Sequence, residues 1–125
     1  MKYLQDYAEQ KGLGKYKLAL VAQLHTENGA WSEKRRGDGG CSVGLSQLNI
    51  CARRSIRNHP KLFNWKWQIE VFVDEIKANF DKYGNIERAQ LGWNNPRAMR
   101  NNLQKNYTKK INKMKEIFSE EYYKF

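Results

Sequence analysis

KLALVAQLHTENG, Lys17 to Gly29, ends a run of apolar residues on a single acid. Leu13, Tyr16, Leu20, Val21 and Leu24 recur at roughly helical spacing, and Gly29 is a favoured C-terminal stop. Glu27 falls three residues after Leu24 and seven after Leu20, which places it on the face that packs inward. A carboxyl there is desolvated, which disfavours its charged form and raises its pKa. That is what a general acid at a glycosidic bond requires. The same spacing also admits a plainer reading, a helix-terminal Glu paired with one of the nearby Lys or Arg residues.

The rest of the chain supplies a mostly helical frame. With 125 residues, one domain spanning 1–125 is expected, enough for a single helical core. A first helix is predicted over Lys2–Lys11, ending near Gly12 or Gly14, followed by the Glu27 helix. Residues 30–48 hold four of the nine glycines and read as a long loop with a short hairpin, and long irregular loops in small domains are usually functional. Trp65–Tyr83 is the clearest helix: Ile69, Phe72, Val73, Ile76, Phe80 and Tyr83 step by three or four. These are core positions, with no chemistry assigned. Gly84-Asn85 ends that helix, a short one runs from Ile86 to Trp93, and Asn95-Pro96 breaks it. A last helical region is expected from about Pro96 to Tyr123, with Met99, Leu103, Tyr107, Ile111, Met114 and Phe118 as its stripe. Trp65 and Trp67 read as core or loop anchors, and His25, on a different face from Glu27, as structural.

Lys and Arg number 23 against 13 Asp and Glu, a formal charge of +10 and a pI near 9.7. Polyanionic partners follow from that balance. The cations crowd at Lys34-Arg35-Arg36, at Arg53-Arg54 with Arg57, and at Lys105, Lys109, Lys110, Lys113 and Lys115.

Three elements in order give the chain a family resemblance: Glu27-Asn28, then Gly44-Leu45-Ser46-Gln47-Leu48, then Trp93-Asn94-Asn95-Pro96. Together they resemble the catalytic core of the lysozyme-like superfamily, in particular goose-type lysozymes and soluble lytic transglycosylases. In those families a helix ends in the catalytic Glu, a Gly-Leu-Met-Gln element follows, and the transglycosylases add a late Tyr-Asn-Ala-Gly element. The resemblance implies a mainly α, lysozyme-like single domain with a small β-hairpin or loop beside the active-site cleft. It implies Glu27 as general acid. Gly37-Asp38-Gly39-Gly40 stands where goose-type enzymes carry an Asp, so Asp38 carries over as candidate base. Asn49 occupies the place of a second Asp, and an amide cannot act as a base. Gly-Asp-Gly-Gly is equally good turn chemistry, so Asp38 also reads as a turn residue.

Sugar-binding candidates are Gln47, Asn49, Trp93 and Asn94, with Trp31 lining the cleft or packing the loop. Ser46 replaces the usual Met and removes an apolar wall; Trp93 replaces Tyr and loses a phenolic hydroxyl. The expected activity is that of a muramidase cleaving the β-1,4 bond between N-acetylmuramic acid and N-acetylglucosamine by inverting hydrolysis. The alternatives are a lytic transglycosylase releasing 1,6-anhydromuramic products, a basic helical nucleic-acid-binding module, and a non-catalytic wall-binding module. Expected partners are peptidoglycan strands and anionic wall polymers, for a monomer without cofactor or metal and with no sequence-specific nucleic acid.

MKYLQDYAE places acids and polar groups where a secretion signal needs an apolar core, and no stretch approaches membrane-spanning length. The expectation is synthesis in the cytoplasm without a signal peptide and action on the bacterial wall, as phage endolysins and tail lysozymes do. Cys41 and Cys51 flank the Gly-Leu-Ser-Gln segment and are able to staple it, while a cytoplasmic origin argues for free thiols.

Overall fold

The computed structural model describes residues 2–29, 31–95 and 105–117. Its helices are α1 (Lys2–Gln10), α2 (Lys17–Glu27), α3 (Trp65–Tyr83), α4 (Ile86–Asn94) and α5 (Lys105–Ile117). Between α2 and α3 lies a three-stranded antiparallel sheet of two-residue strands, β1 (Arg36–Gly37), β2 (Ser42–Val43) and β3 (Leu48–Asn49). The chain is mainly α with a small β element. Among the described residues no helix is long and apolar enough to cross a membrane. Of the expected last stripe, Met99, Leu103 and Phe118 lie outside the described residues.

Helix ends follow local chemistry. The Asn64 side chain accepts from the Trp67 N–H at 3.0 Å and starts α3, and left-handed Gly84 closes it. Asn85 caps α4 in the same way, through the Arg88 N–H.

The most enclosed helix is α2, not α3: Ala19 to Leu24 are all buried, whereas α3 buries only the face of Gln68, Ile69, Phe72, Val73 and Ile76. Small residues at 19 and 22 let neighbours close around α2, and crossed amides tie it to α4. Gln23 Nε2 donates to the Gln90 carbonyl at 3.1 Å, and Gln90 Nε2 donates to the Ala19 carbonyl at 2.9 Å. Helix α5 packs along α2, and α3 packs on α1 and α4.

The sheet is fastened at three points. Cys41 and Cys51 are joined in a disulfide just beyond the Ser42–Asn49 pair, which settles the thiol question in favour of a bridge. Arg53 forms a forked ion pair with Glu75 of α3, at 2.6 Å to each carboxylate oxygen, so part of the basic cluster at 53–57 is structural. The buried Gln68 amide accepts from the Leu45 N–H and donates to the carbonyls of Glu33 and Leu62, clamping the loop before β3 to α3. Gly44 makes that approach possible: its φ is +82°, and a Cβ there would stand 2.4 Å from the Gln68 amide.

Candidate active site

Glu27 is the last residue of α2, and the residue after it fixes where that end points. Asn28 is fully buried. Its amide donates to the Ser32 carbonyl at 2.7 Å and to the Gly44 carbonyl at 3.1 Å, joining the helix end to the Gly-Leu-Ser-Gln segment. Gln47 Nε2 donates to the same Gly44 carbonyl at 3.0 Å, so two amides from opposite sides meet on one backbone oxygen.

Around the Glu27 carboxyl the structure gathers Tyr107, Asn94, Asp38 and Lys110. Burial pushes the Glu27 pKa up; Tyr107's hydrogen bond opposes this, the nearby Asp38 charge raises it, and the Asn94 hydrogen bond and Lys110 charge lower it. Burial and Asp38 prevail, and the net direction is upward.

The direction of the Tyr107 bond follows from its other partner. Gln23 Nε2 donates to the Tyr107 hydroxyl at 2.9 Å, and the same nitrogen donates to the Gln90 carbonyl, which fixes that amide's orientation. The Tyr107 hydroxyl accepts from Gln23, so its own proton points at Glu27 Oε1, at 2.5 Å. An oxygen that accepts this bond does not hold the acidic proton. Burial and the adjacent Glu27 charge together raise the Tyr107 pKa, keeping the phenol a donor.

Asp38 is exposed, between β1 and β2, with φ +51°, a left-handed conformation that Asp tolerates better than most residues. Ser42 Oγ donates to its Oδ2 at 2.6 Å and orients the carboxylate. Turn residue and neighbour of Glu27 are thus both true of Asp38. Beside this group, His25, Thr26, Lys110, Lys113 and Met114 line a cavity of about 290 Å³ between α2 and α5.

The other residues singled out in the sequence divide differently. Asn94 is exposed and bonds Glu27. Trp93, its neighbour, is 4% exposed, packs edge-on against Phe72 and donates its indole N–H to the Ser46 carbonyl at 2.7 Å. It braces the loop and offers no face to a sugar. Ser46 is fully buried, and its hydroxyl has no hydrogen-bond partner among the described residues. It too lies inside the wall rather than on it. Gln47 spends its NH2 on the Gly44 and Arg35 carbonyls. Asn49 Oδ1 caps the N–H groups of Cys51 and Ala52, both at 3.0 Å. Trp31 faces a separate cavity between the loop, α1 and α3.

Reading the sequence missed Tyr107, Asn28, Gln23 and Lys110. Tyr107 was visible only as one apolar step in a stripe; the signal was a hydroxyl where Leu or Phe would pack as well. Among the described residues no three His, Cys, Asp or Glu side chains converge as a metal set. The chain matches no protein-family model, and comparison with curated proteins and with solved structures finds no significant match.

Proposed function

We propose that this chain is a lysozyme-like glycosidase that cuts the β-1,4 bond between N-acetylmuramic acid and N-acetylglucosamine in peptidoglycan. The observation that carries the reading is the pair of unlike carboxyls: Glu27 buried, raised and oriented by Tyr107, and Asp38 exposed within electrostatic reach. Unlike environments for two acids are how one site divides the roles of acid and base.

In this mechanism Glu27 passes its proton to the glycosidic oxygen as the C1–O bond breaks. Asp38, held by Ser42, takes a proton from a water on the opposite face, and the hydroxide adds to C1 with inversion. Tyr107 and Asn94 donate to the Glu27 carboxylate as it forms. The +10 charge draws the protein to an anionic wall, and the proposed setting is the bacterial envelope, reached as phage endolysins or tail lysozymes reach it.

A lytic transglycosylase is the second reading. The Asn94 bond to Glu27 favours it, since that scheme needs one carboxyl acting as acid and then base. Asp38→Asn separates the two. Hydrolysis predicts a loss of about a hundredfold or more in muropeptide release, the usual worth of a general base. Transglycosylation predicts near-normal release. Glu27→Gln abolishes both; wall or nucleic-acid binding that survives it, with no release by the wild type, would reject the enzyme.

A further inference from the structure

A second cavity, of about 280 Å³, is lined by Leu4 of α1, Trp31, Glu33 and Leu45 of the loop, and Trp65 and Ile69 of α3. It shares no lining residue with the group around Glu27. We propose that it is a binding site for a small alkylated ammonium ion, the cation held between the indoles of Trp31 and Trp65 and balanced by the Glu33 carboxylate.

The walls are built rather than incidental. Gln68 bonds both the Leu45 N–H and the Glu33 carbonyl, so one buried amide holds two sides of the pocket to α3. Leu4, Leu45 and Ile69 are each at most 5% exposed and form an apolar floor. Trp31 has φ +53°, a conformation uncommon for a bulky residue that persists only where the surroundings impose it. Trp65 is 40% exposed, and Phe63, two residues away, 41%.

The charge of the occupant follows from the lining. Aromatic faces attract cations through their quadrupole, and a carboxylate at the edge adds a full charge. In a chain of net charge +10, this pocket has an acid as its single charged lining residue among the described residues. The Trp65 ring already draws an ammonium: Lys66 Nζ, outside the described lining, stands 5.5 Å from its centroid and 5.3 Å from that of Tyr3. A bare or primary ammonium is strongly hydrated and ill matched to an apolar floor, whereas alkyl groups on nitrogen replace that water with contacts.

The test is an NMR titration of the indole N–H signals with choline, its uncharged isostere 3,3-dimethylbutan-1-ol, and ethanolamine. The Trp67 and Trp93 signals serve as internal references. Choline should move Trp31 and Trp65 and bind about tenfold more tightly than the other two. Glu33→Gln and Trp65→Ala should each weaken it. Trp65 is exposed, so Trp65→Ala keeps the wild-type circular dichroism. Equal binding of the alcohol would reduce the site to an apolar hole. Equal binding of ethanolamine would overturn the requirement for alkylation, and no choline-induced shift at millimolar concentration would overturn the site.

Discussion

Replacing Tyr107 with Phe removes one hydroxyl from the best-defined bond in the site. The ring still fills its place between α2 and α5, so packing is kept, and Gln23 retains its bond to the Gln90 carbonyl. What is lost is the proton donated to Glu27 Oε1, in a buried setting where hydrogen bonds to charged groups contribute about 1.5–3 kcal/mol. That donor favours the carboxylate over the acid, so its removal makes Glu27 harder to ionise. At a given pH the ratio of ionised to protonated Glu27 should fall about ten- to a hundredfold, moving its titration up by about one to two pH units. Two assays read this. A carbon-13 NMR titration of the Glu27 carboxyl reports the shift directly, with no substrate present. The alkaline limb of kcat/KM on peptidoglycan, where the general acid loses its proton, should move up with it, while kcat falls because the departing proton leaves a less stabilised carboxylate. An unchanged or downward titration in Tyr107→Phe would refute the assignment of the phenol as donor, whatever happened to activity.

Stability should show the strain of burying Glu27. Because its folded pKa is raised, the folded state binds the proton more tightly, so this group's contribution is complete below the ordinary carboxyl value of 4.5 and is lost as pH rises through the folded pKa. Glu27→Gln should therefore melt above the wild type at pH 8, with the gap closing in acid; calorimetry across pH that found a constant gap would contradict this. Gly44→Ala asks for a side chain where φ is +82° and the Gln68 amide is 2.4 Å away, and Gln68 cannot retreat without loosening three buried hydrogen bonds. About 3 kcal/mol or more should be lost in urea unfolding, from left-handed strain plus weakened bonds of about 1 kcal/mol each. The disulfide closes a loop of sequence separation 10, so Cys41→Ser with Cys51→Ser should cost about 2.7 kcal/mol on the chain-entropy account. A loss well under 1 kcal/mol would mean that Gln68 and Arg53 hold the sheet by themselves.

Helix α3 was legible to the residue because its stripe is bounded by a capping Asn and a left-handed Gly. The β strands were legible only as a loop with a hairpin: two residues each is too short for alternation to register. Glu27 could be placed on an inward face from spacing within one helix. Its partner Tyr107 could not, because that contact joins α2 to α5 across 80 residues and leaves no periodic trace. Trp93 and Asn94 illustrate the limit of a motif. Successive residues on a helix point about 100° apart, so one side chain of the pair reaches Glu27 and the other turns into the core.

Hydrolysis by a pair of carboxyls is read out in the mass of the muropeptide ends released from purified peptidoglycan, with Glu27→Gln as the blank. Hydrolysis should leave reducing-end N-acetylmuramic acid, one water heavier than the anhydro form, and the variant should give no products. Anhydromuramic ends would contradict it and reduce Asp38 to a turn residue; no Glu27-dependent product from any wall type would contradict the enzyme itself.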